Sequence, residues 1–181
     1  MGPDSGFCLF GTALGACGIA WNVHALLGVQ LPEGDEAACR ARMRRRFPLL
    51  PETAAPGWVQ AAMVRIQALL AGQPDDLADI PLDMENIPPF HQRVYEITRA
   101  IPPGRTMTYG EVAQQLGEPG AARAVGQALG RNPFAPVIPC HRVLAAHSGA
   151  GGFSAEGGVA TKLRMLQIEK AQLGPEPGLF D

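Results

Sequence analysis

A cysteine followed directly by a histidine and an arginine is the part of this chain best suited to covalent chemistry. Cys140, His141 and Arg142 follow a short apolar run that contains three prolines, the last of which is Pro139. Proline fixes its own φ and donates no backbone hydrogen bond, so Pro139 should hold Cys140 on a set path. A neighbouring imidazole or guanidinium lowers the pKa of a thiol and favours the reactive thiolate. The pattern predicts a nucleophile, whereas a small buried residue is the commoner role of a free cysteine.

The composition indicates a globular protein of one large domain or two small ones. The chain has 181 residues, of which 46% are hydrophobic. Its four cysteines show no paired spacing, which argues against a disulfide framework or a zinc knuckle and favours the reducing cytoplasm. Residues 1–89 carry six basic and ten acidic side chains, net −4, whereas residues 90–181 carry nine and seven, net +2. The half with the cysteine therefore permits a DNA contact.

The N-terminal half contains an uncharged apolar stretch that we interpret as strands. Residues 7–32 contain no Asp, Glu, Lys or Arg, so hydropathy alone would suggest a membrane span. Glycines and polar residues interrupt the stretch, and no basic cluster flanks it, so no membrane association is expected. The predicted elements are strands at 7–10, 16–21 and 26–31 and amphipathic helices at 36–47 and 58–70. The arginines of residues 40–46 are predicted to form a solvated helix face.

A segment of linker composition separates the two halves. Residues 74–89 hold five acidic residues and four prolines. We therefore predict an N-terminal α/β domain at 1–84 and a second domain at 85–181.

The second half is predicted to be mostly helical. The helices are expected at 90–101, 108–116, 121–130 and 159–171. Thr108 and Glu111 form a capping-box pattern, and Pro119-Gly120 separates the second of these helices from the third. Such a pair predicts a helix-turn-helix, with an ordinary αα-hairpin as the alternative.

The faces of the last two helices suggest functional side chains. In the helix at 121–130, Ala122, Val125 and Leu129 are predicted to point inward. Its outer face would then carry Arg123 with Ala124, Gln127 and Ala128. A lone cation among small residues suits insertion into a DNA groove or a base stack. In the last helix, Val159, Leu163 and Leu166 are predicted to point inward. Glu169 borders that stripe, where its carboxylate would orient His141; an ordinary surface glutamate is the alternative.

Several segments together resemble one protein family. The sequence Ile-Pro-Cys-His-Arg-Val at 138–143 is similar to the active-site signature of the O6-alkylguanine-DNA alkyltransferases, also called methylated-DNA–protein-cysteine methyltransferases. The resemblance extends over about residues 87–171 and includes Thr108-Tyr109, residues 121–126, Asn132-Pro133 and the helix that contains Lys162 and Glu169. It implies an α/β protein with a ribonuclease-H-like N-terminal domain and a winged-helix-like second domain.

The resemblance also implies roles for individual residues. Cys140 would take the alkyl group from guanine O6, His141 would accept the thiol proton through a water, and Glu169 would orient His141. Tyr109 would donate to N3 of guanine, Arg123 would fill the gap left by the flipped nucleotide, and Asn132 would brace the cysteine turn. The expected pocket residues are Leu129, Pro139, Val143, Phe153 and Ser154.

Further expectations concern partners and loops. The thioether product is a poor leaving group, so each molecule should act once, without cofactor or metal. The expected partner is double-stranded DNA that contains O6-alkylguanine, bound by a monomer. Phe153 replaces the tyrosine frequent in relatives, and Ala155-Glu156 resemble an insertion in the pocket loop.

Three other functions are consistent with parts of this pattern. A non-catalytic alkyltransferase-like protein would bind lesions without reacting, but such proteins lack the cysteine. A helix-turn-helix regulator would prefer one DNA sequence over a lesion. A cysteine hydrolase is the weakest alternative, because the sequence shows no recognisable set of donors for an oxyanion hole.

Overall fold

The computed structural model describes residues 4–146 and 158–171, which form a mixed α/β fold. Its elements in chain order are β1 (Gly6–Thr12), β2 (Gly15–Trp21), β3 (Leu26–Gln30), α1 (Glu36–Arg46), α2 (Gly57–Leu70), α3 (Pro89–Arg99), β4 (Met107–Thr108), α4 (Tyr109–Gln115), α5 (Ala122–Gly130), β5 (Val143–Leu144) and α6 (Gly158–Ile168). All three strands and both helices that were predicted in the N-terminal half are present. The four helices predicted in the second half are also present, with ends that differ from the predicted ones by at most three residues.

The N-terminal strands form an antiparallel meander in the order β1-β2-β3. The β1–β2 register runs from Gly6 opposite Trp21 to Thr12 opposite Gly15. Gly15 ends the connecting turn with a φ of +124°, a conformation open mainly to glycine. The apolar stretch that hydropathy alone would assign to a membrane is therefore a sheet. In the described ranges, no helix is long and apolar enough to cross a membrane.

Two helices cover opposite faces of this sheet. Successive strand residues point to opposite faces. Ala20 lies in a buried cluster with Met43 of α1, and Ile19 lies in the main core cluster with Ile66 of α2. A Cβ atom on Gly18 would come within 2.6 Å of the Met43 side chain. A glycine at this position therefore lets α1 approach the sheet.

The second half is built on α3, α4 and α5, which pack against one another. The predicted capping box is confirmed, because the Glu111 amide donates to Thr108 Oγ1 at 3.0 Å and the Thr108 amide donates to Glu111 Oε1 at 3.1 Å. The parallel strands β4 and β5 pair Met107 with Val143. This pairing brings the residues after the cysteine next to the start of α4. Whether α4 and α5 form a true helix-turn-helix with a wing stays a prediction.

The segment between the halves is anchored to both of them. The Leu26 amide donates to Pro81 O and the Asp83 amide donates to Leu26 O, each at 2.9 Å. The Arg99 guanidinium donates to Leu77 O at 2.9 Å, and Leu77 itself is buried. One buried cluster contains residues of both halves. The division into domains at residue 84 stays a prediction.

Three orientations predicted from helical periodicity are wrong. Arg46 was expected to be solvated with the other arginines of α1, but it is partly buried and donates hydrogen bonds to β3 and Pro133. Ala128 was placed on the outer face of α5, but it is buried, and its carbonyl accepts from Tyr95 Oη at 2.6 Å. Val159 was placed inward but is 44% exposed. In each case packing by distant elements decides which stripe of the helix is covered.

Candidate functional site

The loop between α5 and the cysteine is held closed by one side chain. Asn132 Oδ1 accepts from the Phe134 amide at 2.9 Å, and Asn132 Nδ2 donates to Ile138 O at 2.7 Å. The asparagine thus joins the first and last turns of the loop. Because the prolines in between cannot donate backbone hydrogen bonds, the Asn132 bonds supply cross-links that the backbone alone lacks.

The same loop is fastened to the N-terminal sheet. Pro133 O accepts from the Val29 amide at 2.9 Å and from Arg46 Nη2 at 3.1 Å. Arg46 Nη1 also donates to Val29 O at 3.1 Å and to Gln30 Oε1 at 3.0 Å. Burial lowers the pKa of Arg46 to about 10. A Cβ atom on Gly28 would meet the guanidinium at 2.6 Å, so glycine leaves the space that Arg46 occupies.

Cys140 begins a single 3₁₀ turn that ends at Arg142. It is only 5% exposed, and burial raises the pKa of its thiol. This effect outweighs the opposite influence of Asn132, of Lys162 and of the amides of Cys140 and His141. The expected lowering of the thiol pKa by Arg142 is wrong, because that guanidinium is engaged elsewhere. The resting cysteine is therefore a protonated thiol at neutral pH, and it needs a base.

His141, paired with Glu169, is the candidate for such a base. His141 Nε2 lies 3.0 Å from Glu169 Oε2, and both side chains are almost fully buried. Burial lowers the pKa of His141, so the ring is neutral near pH 7. Burial alone would raise the pKa of Glu169, but hydrogen bonds from Arg142 and His141 lower it to about 2. An ionised carboxylate can only accept, so Nε2 carries the proton and Nδ1 holds the lone pair. His141 Nδ1 is buried and has no hydrogen-bond partner in the part of the chain described.

Arg142 is a structural member of the site that sequence reasoning missed. Its Nε and Nη2 donate to the two oxygens of Glu169 at 2.9 and 2.7 Å, and its Nη1 donates to Ile101 O at 2.7 Å. The residue is 2% exposed. It therefore joins the cysteine turn, α6 and the segment after α3. An arginine inside the apolar run 137–144 was the available signal, since a buried guanidinium requires a carboxylate.

Lys162 is the second residue that sequence reasoning missed. Its Nζ donates to Val143 O at 2.7 Å and lies 3.5 Å from Tyr109 Oη. Burial lowers the pKa of Lys162 to about 8, although the nearby Cys140 opposes this effect. Lys162, Leu166 and Glu169 share one helical stripe, and a lysine on an otherwise buried stripe was the available signal.

Comparison with known proteins agrees with this geometry. Residues 89–171 match the DNA-binding domain of 6-O-methylguanine DNA methyltransferase. A methylated-DNA–protein-cysteine methyltransferase of Mycobacterium tuberculosis is 41% identical over 126 residues, which are 70% of this chain and 74% of the relative. The crystal structure of Mycobacterium tuberculosis OGT in complex with DNA has a TM-score of 0.73 at 33% identity and covers 91% of this chain and 92% of its own. The chain belongs to the methylated-DNA–protein-cysteine methyltransferase family.

A relative with another name is also similar. The DNA base-flipping protein of Thermus thermophilus is 42% identical over 106 residues, which are 59% of this chain and 69% of that protein. The similarity is thus shorter than that to the methyltransferase of Mycobacterium tuberculosis.

The other residues predicted for a methyltransferase site differ in burial and in the elements that carry them. Tyr109 is half-buried at the start of α4 and is linked through Lys162 to Val143, which is buried in β5. Leu129 is buried at the end of α5, and Pro139 directly precedes the cysteine turn. Arg123 is exposed on α5. Phe153, Ser154 and the insertion Ala155-Glu156 lie outside the described residues. Within residues 4–146 and 158–171, no three His, Cys, Asp or Glu side chains are grouped closely enough to hold a metal ion.

Proposed function

We propose that this protein repairs DNA by direct reversal, with Cys140 taking the alkyl group from O6 of a guanine in duplex DNA. The observation that carries the assignment is the buried thiol next to a neutral histidine whose Nδ1 lone pair is free and whose Nε2 is held by Glu169. Family membership supports the reaction class. The substrate position, the residue roles and the monomeric, cytoplasmic state are parts of this proposal.

The proposed reaction is a displacement at carbon. His141 accepts the thiol proton at Nδ1 through a water, and the Sγ–C bond forms as the C–O6 bond breaks. The electron pair of the broken bond stays on the guanine, and Tyr109 donates a hydrogen bond toward N3. Burial raises the pKa of Tyr109, which keeps its hydroxyl available as a donor. Glu169 stabilises the imidazolium, and Arg142 holds Glu169 in place.

The product limits the protein to a single turnover. The thioether on Cys140 is a poor leaving group, so the alkyl group stays on the protein. One alkyl group is therefore accepted per molecule, and the reaction consumes no cofactor.

DNA engagement is assigned to the exposed side of α5. Arg123 projects from a helix whose nearby outward residues include Ala124 and Gln127. We assign it to the space left when the damaged nucleotide turns out of the duplex. The flipped guanine would then lie among Leu129, Pro139 and Val143, with Phe153 and Ser154 as further wall residues.

A labelled duplex tests the proposal directly. DNA bearing O6-[³H-methyl]guanine is incubated in excess over the protein, and the label on protein and on DNA is counted. The proposal predicts one methyl group per active molecule, located on Cys140 by peptide mass, and no transfer by Cys140→Ala. Label that stays on the DNA, or transfer that persists in the alanine variant, would overturn it.

The alternative is lesion binding without chemistry. The similarity to a protein named as a DNA base-flipping protein favours it. The same incubation distinguishes the two functions, because this alternative predicts a gel shift on O6-methylguanine duplex with no change in protein mass.

A further inference from the structure

A cavity of about 270 Å³ borders Cys140 on the side of the N-terminal sheet. It lies between the end of β3, helix α1 and the active-site loop. Its wall includes Cys140, Asn132 and Gln30 together with Arg42, Arg46 and Arg131, and we call it the arginine cavity. Three guanidinium groups therefore line the same cavity as the cysteine.

The cations of this wall are incompletely neutralised. The three hydrogen-bond acceptors of Arg46 are uncharged oxygens, those of Val29, Gln30 and Pro133. Arg131 is exposed and has no hydrogen bond or ion pair to another described residue. Arg42 is paired with Glu33 at 3.4 Å. Three guanidinium groups and one carboxylate leave an excess of positive charge around the cavity.

We propose that the arginine cavity selects O6-alkyl substituents that end in an anion, such as a carboxyalkyl group. This inference rests on the proposed alkyl transfer and specifies its substrate class. In a displacement at a methylene carbon, the sulfur and the leaving O6 lie on opposite sides of the carbon. The rest of the substituent therefore projects sideways and needs space next to the cysteine, and the arginine cavity is a space that Cys140 lines.

The chemistry of such a substituent requires positive charge. As His141 takes the thiol proton, a thiolate develops close to the carboxylate of the substituent, and the two anions repel each other. Guanidinium groups of the cavity wall offset this repulsion by stabilising the carboxylate of the substituent. The Sγ–CH₂ bond forms, the CH₂–O6 bond breaks, guanine retains the electron pair, and Cys140 becomes S-carboxymethylcysteine.

Two substrates of equal shape isolate the effect of charge. Duplexes carrying O6-carboxymethylguanine or its neutral counterpart O6-carbamoylmethylguanine are reacted with excess protein, and the rate of the mass increase on intact protein is measured. We expect the carboxymethyl duplex to react about fivefold faster or more, the effect of one partly screened charge pair. An O6-methylguanine duplex is run in parallel.

Variants of the wall test which residues are responsible. Arg131→Gln and Arg42→Gln should each reduce the ratio of the carboxymethyl rate to the carbamoylmethyl rate, whereas Arg131→Lys should retain most of it. Arg46 is not suitable, because it also holds Pro133. Arg45→Gln removes a charge from the same helix at an exposed position outside the cavity and should leave the ratio unchanged.

The outcomes separate this inference from the proposed function. Equal rates for the carboxymethyl and carbamoylmethyl duplexes would overturn the selection of anions. An unchanged ratio of these rates in both Arg131→Gln and Arg42→Gln would also overturn it. Absence of methyl transfer from the O6-methylguanine duplex would instead overturn the proposed function.

Discussion

The thiol of Cys140 is held in its neutral form by its surroundings. Burial raises its pKa, and the nearest guanidinium in sequence, that of Arg142, is committed to Glu169. A protonated resting thiol resists oxidation and metal binding, because both require the thiolate. In the proposed reaction, His141 removes the proton when the substrate is in place.

His141→Gln tests this dependence. Glutamine can still donate to Glu169 but has no basic nitrogen, so transfer at pH 7 should slow by about 10²- to 10⁴-fold. The rate of the variant should also rise with pH, since solvent base must then ionise the thiol. Single-turnover rates on O6-methylguanine duplex between pH 6 and 9 measure both effects. Thermal melting controls for folding, and an unchanged rate at pH 7 would contradict the role of the histidine.

Glu169 should make stability depend on acid pH. Its pKa in the folded protein is about 2, below the ordinary value of 4.5. The stability that it contributes is therefore complete above pH 4.5 and is lost as the pH falls towards 2. The Glu169→Gln variant should lose less stability than the unaltered protein as the pH falls from 4.5 towards 2. Above pH 4.5, the variant should be less stable by about 3 kcal/mol because Arg142 stays buried without a carboxylate.

Urea unfolding at several pH values between 2.5 and 7 measures this difference. Parallel curves for the two proteins from pH 4.5 to 2.5 would show that Glu169 is not the responsible group.

At the scale of elements, the active-site loop is positioned from two directions. Asn132 closes it from within, whereas Arg46 and the Val29 amide hold it to β3. Hydrogen bonds to charged groups contribute more than neutral ones, about 1.5–3 kcal/mol each. The N-terminal sheet therefore takes part in placing Cys140, although it supplies none of the reacting groups.

Arg46→Met tests the contribution of the sheet. The thioether packs in the same space but donates no hydrogen bonds, so we expect transfer to slow by about fivefold to tenfold, equivalent to one weakened hydrogen bond. Amide hydrogen exchange at Val29 should become faster, because its acceptor Pro133 O is then less fixed. Arg45→Met is the matched control on the exposed side of α1. Unaltered exchange at Val29 would show that Arg46 does not hold the loop.

At the scale of the whole molecule, the two halves share one buried cluster. Ile19 and Ile66 of the first half and Val94, Val125 and Cys140 of the second belong to it. Separating the halves would expose apolar surface on both, at a cost of about 25 cal/mol per Å². The segment 71–88 adds backbone hydrogen bonds to β3.

We therefore expect the halves to unfold together. Both tryptophans, Trp21 and Trp58, lie in the first half, so their fluorescence reports that half alone. The urea midpoint of the fluorescence change should equal the urea midpoint for the loss of amide protection in α5, because a single cooperative transition requires the same midpoint for both. Two separated midpoints would indicate independently stable domains.

Features that depend on neighbours in the sequence were predicted correctly, whereas several contacts between distant parts of the chain were not. Strands, helices and the Thr108 cap depend on periodicity and near neighbours, and they were predicted within a few residues. The mixed α/β class and the family were also confirmed. The inward position of Val159, the outward position of Ala128 and the solvated state of Arg46 were wrong, because elements far away in the chain decide those contacts.

The sequence by itself determined the elements, the family and the cysteine, since these depend on local spacing and on a contiguous motif. Only the tertiary structure decided which groups surround the cysteine. It placed Arg142 on Glu169 across 27 residues, Lys162 against Val143, and Arg46 on Pro133 across 87 residues. Burial then set the direction of the pKa shifts of Cys140, His141 and Lys162, whereas hydrogen bonds from Arg142 and His141 set that of Glu169. Both effects are properties of the packed molecule rather than of any segment.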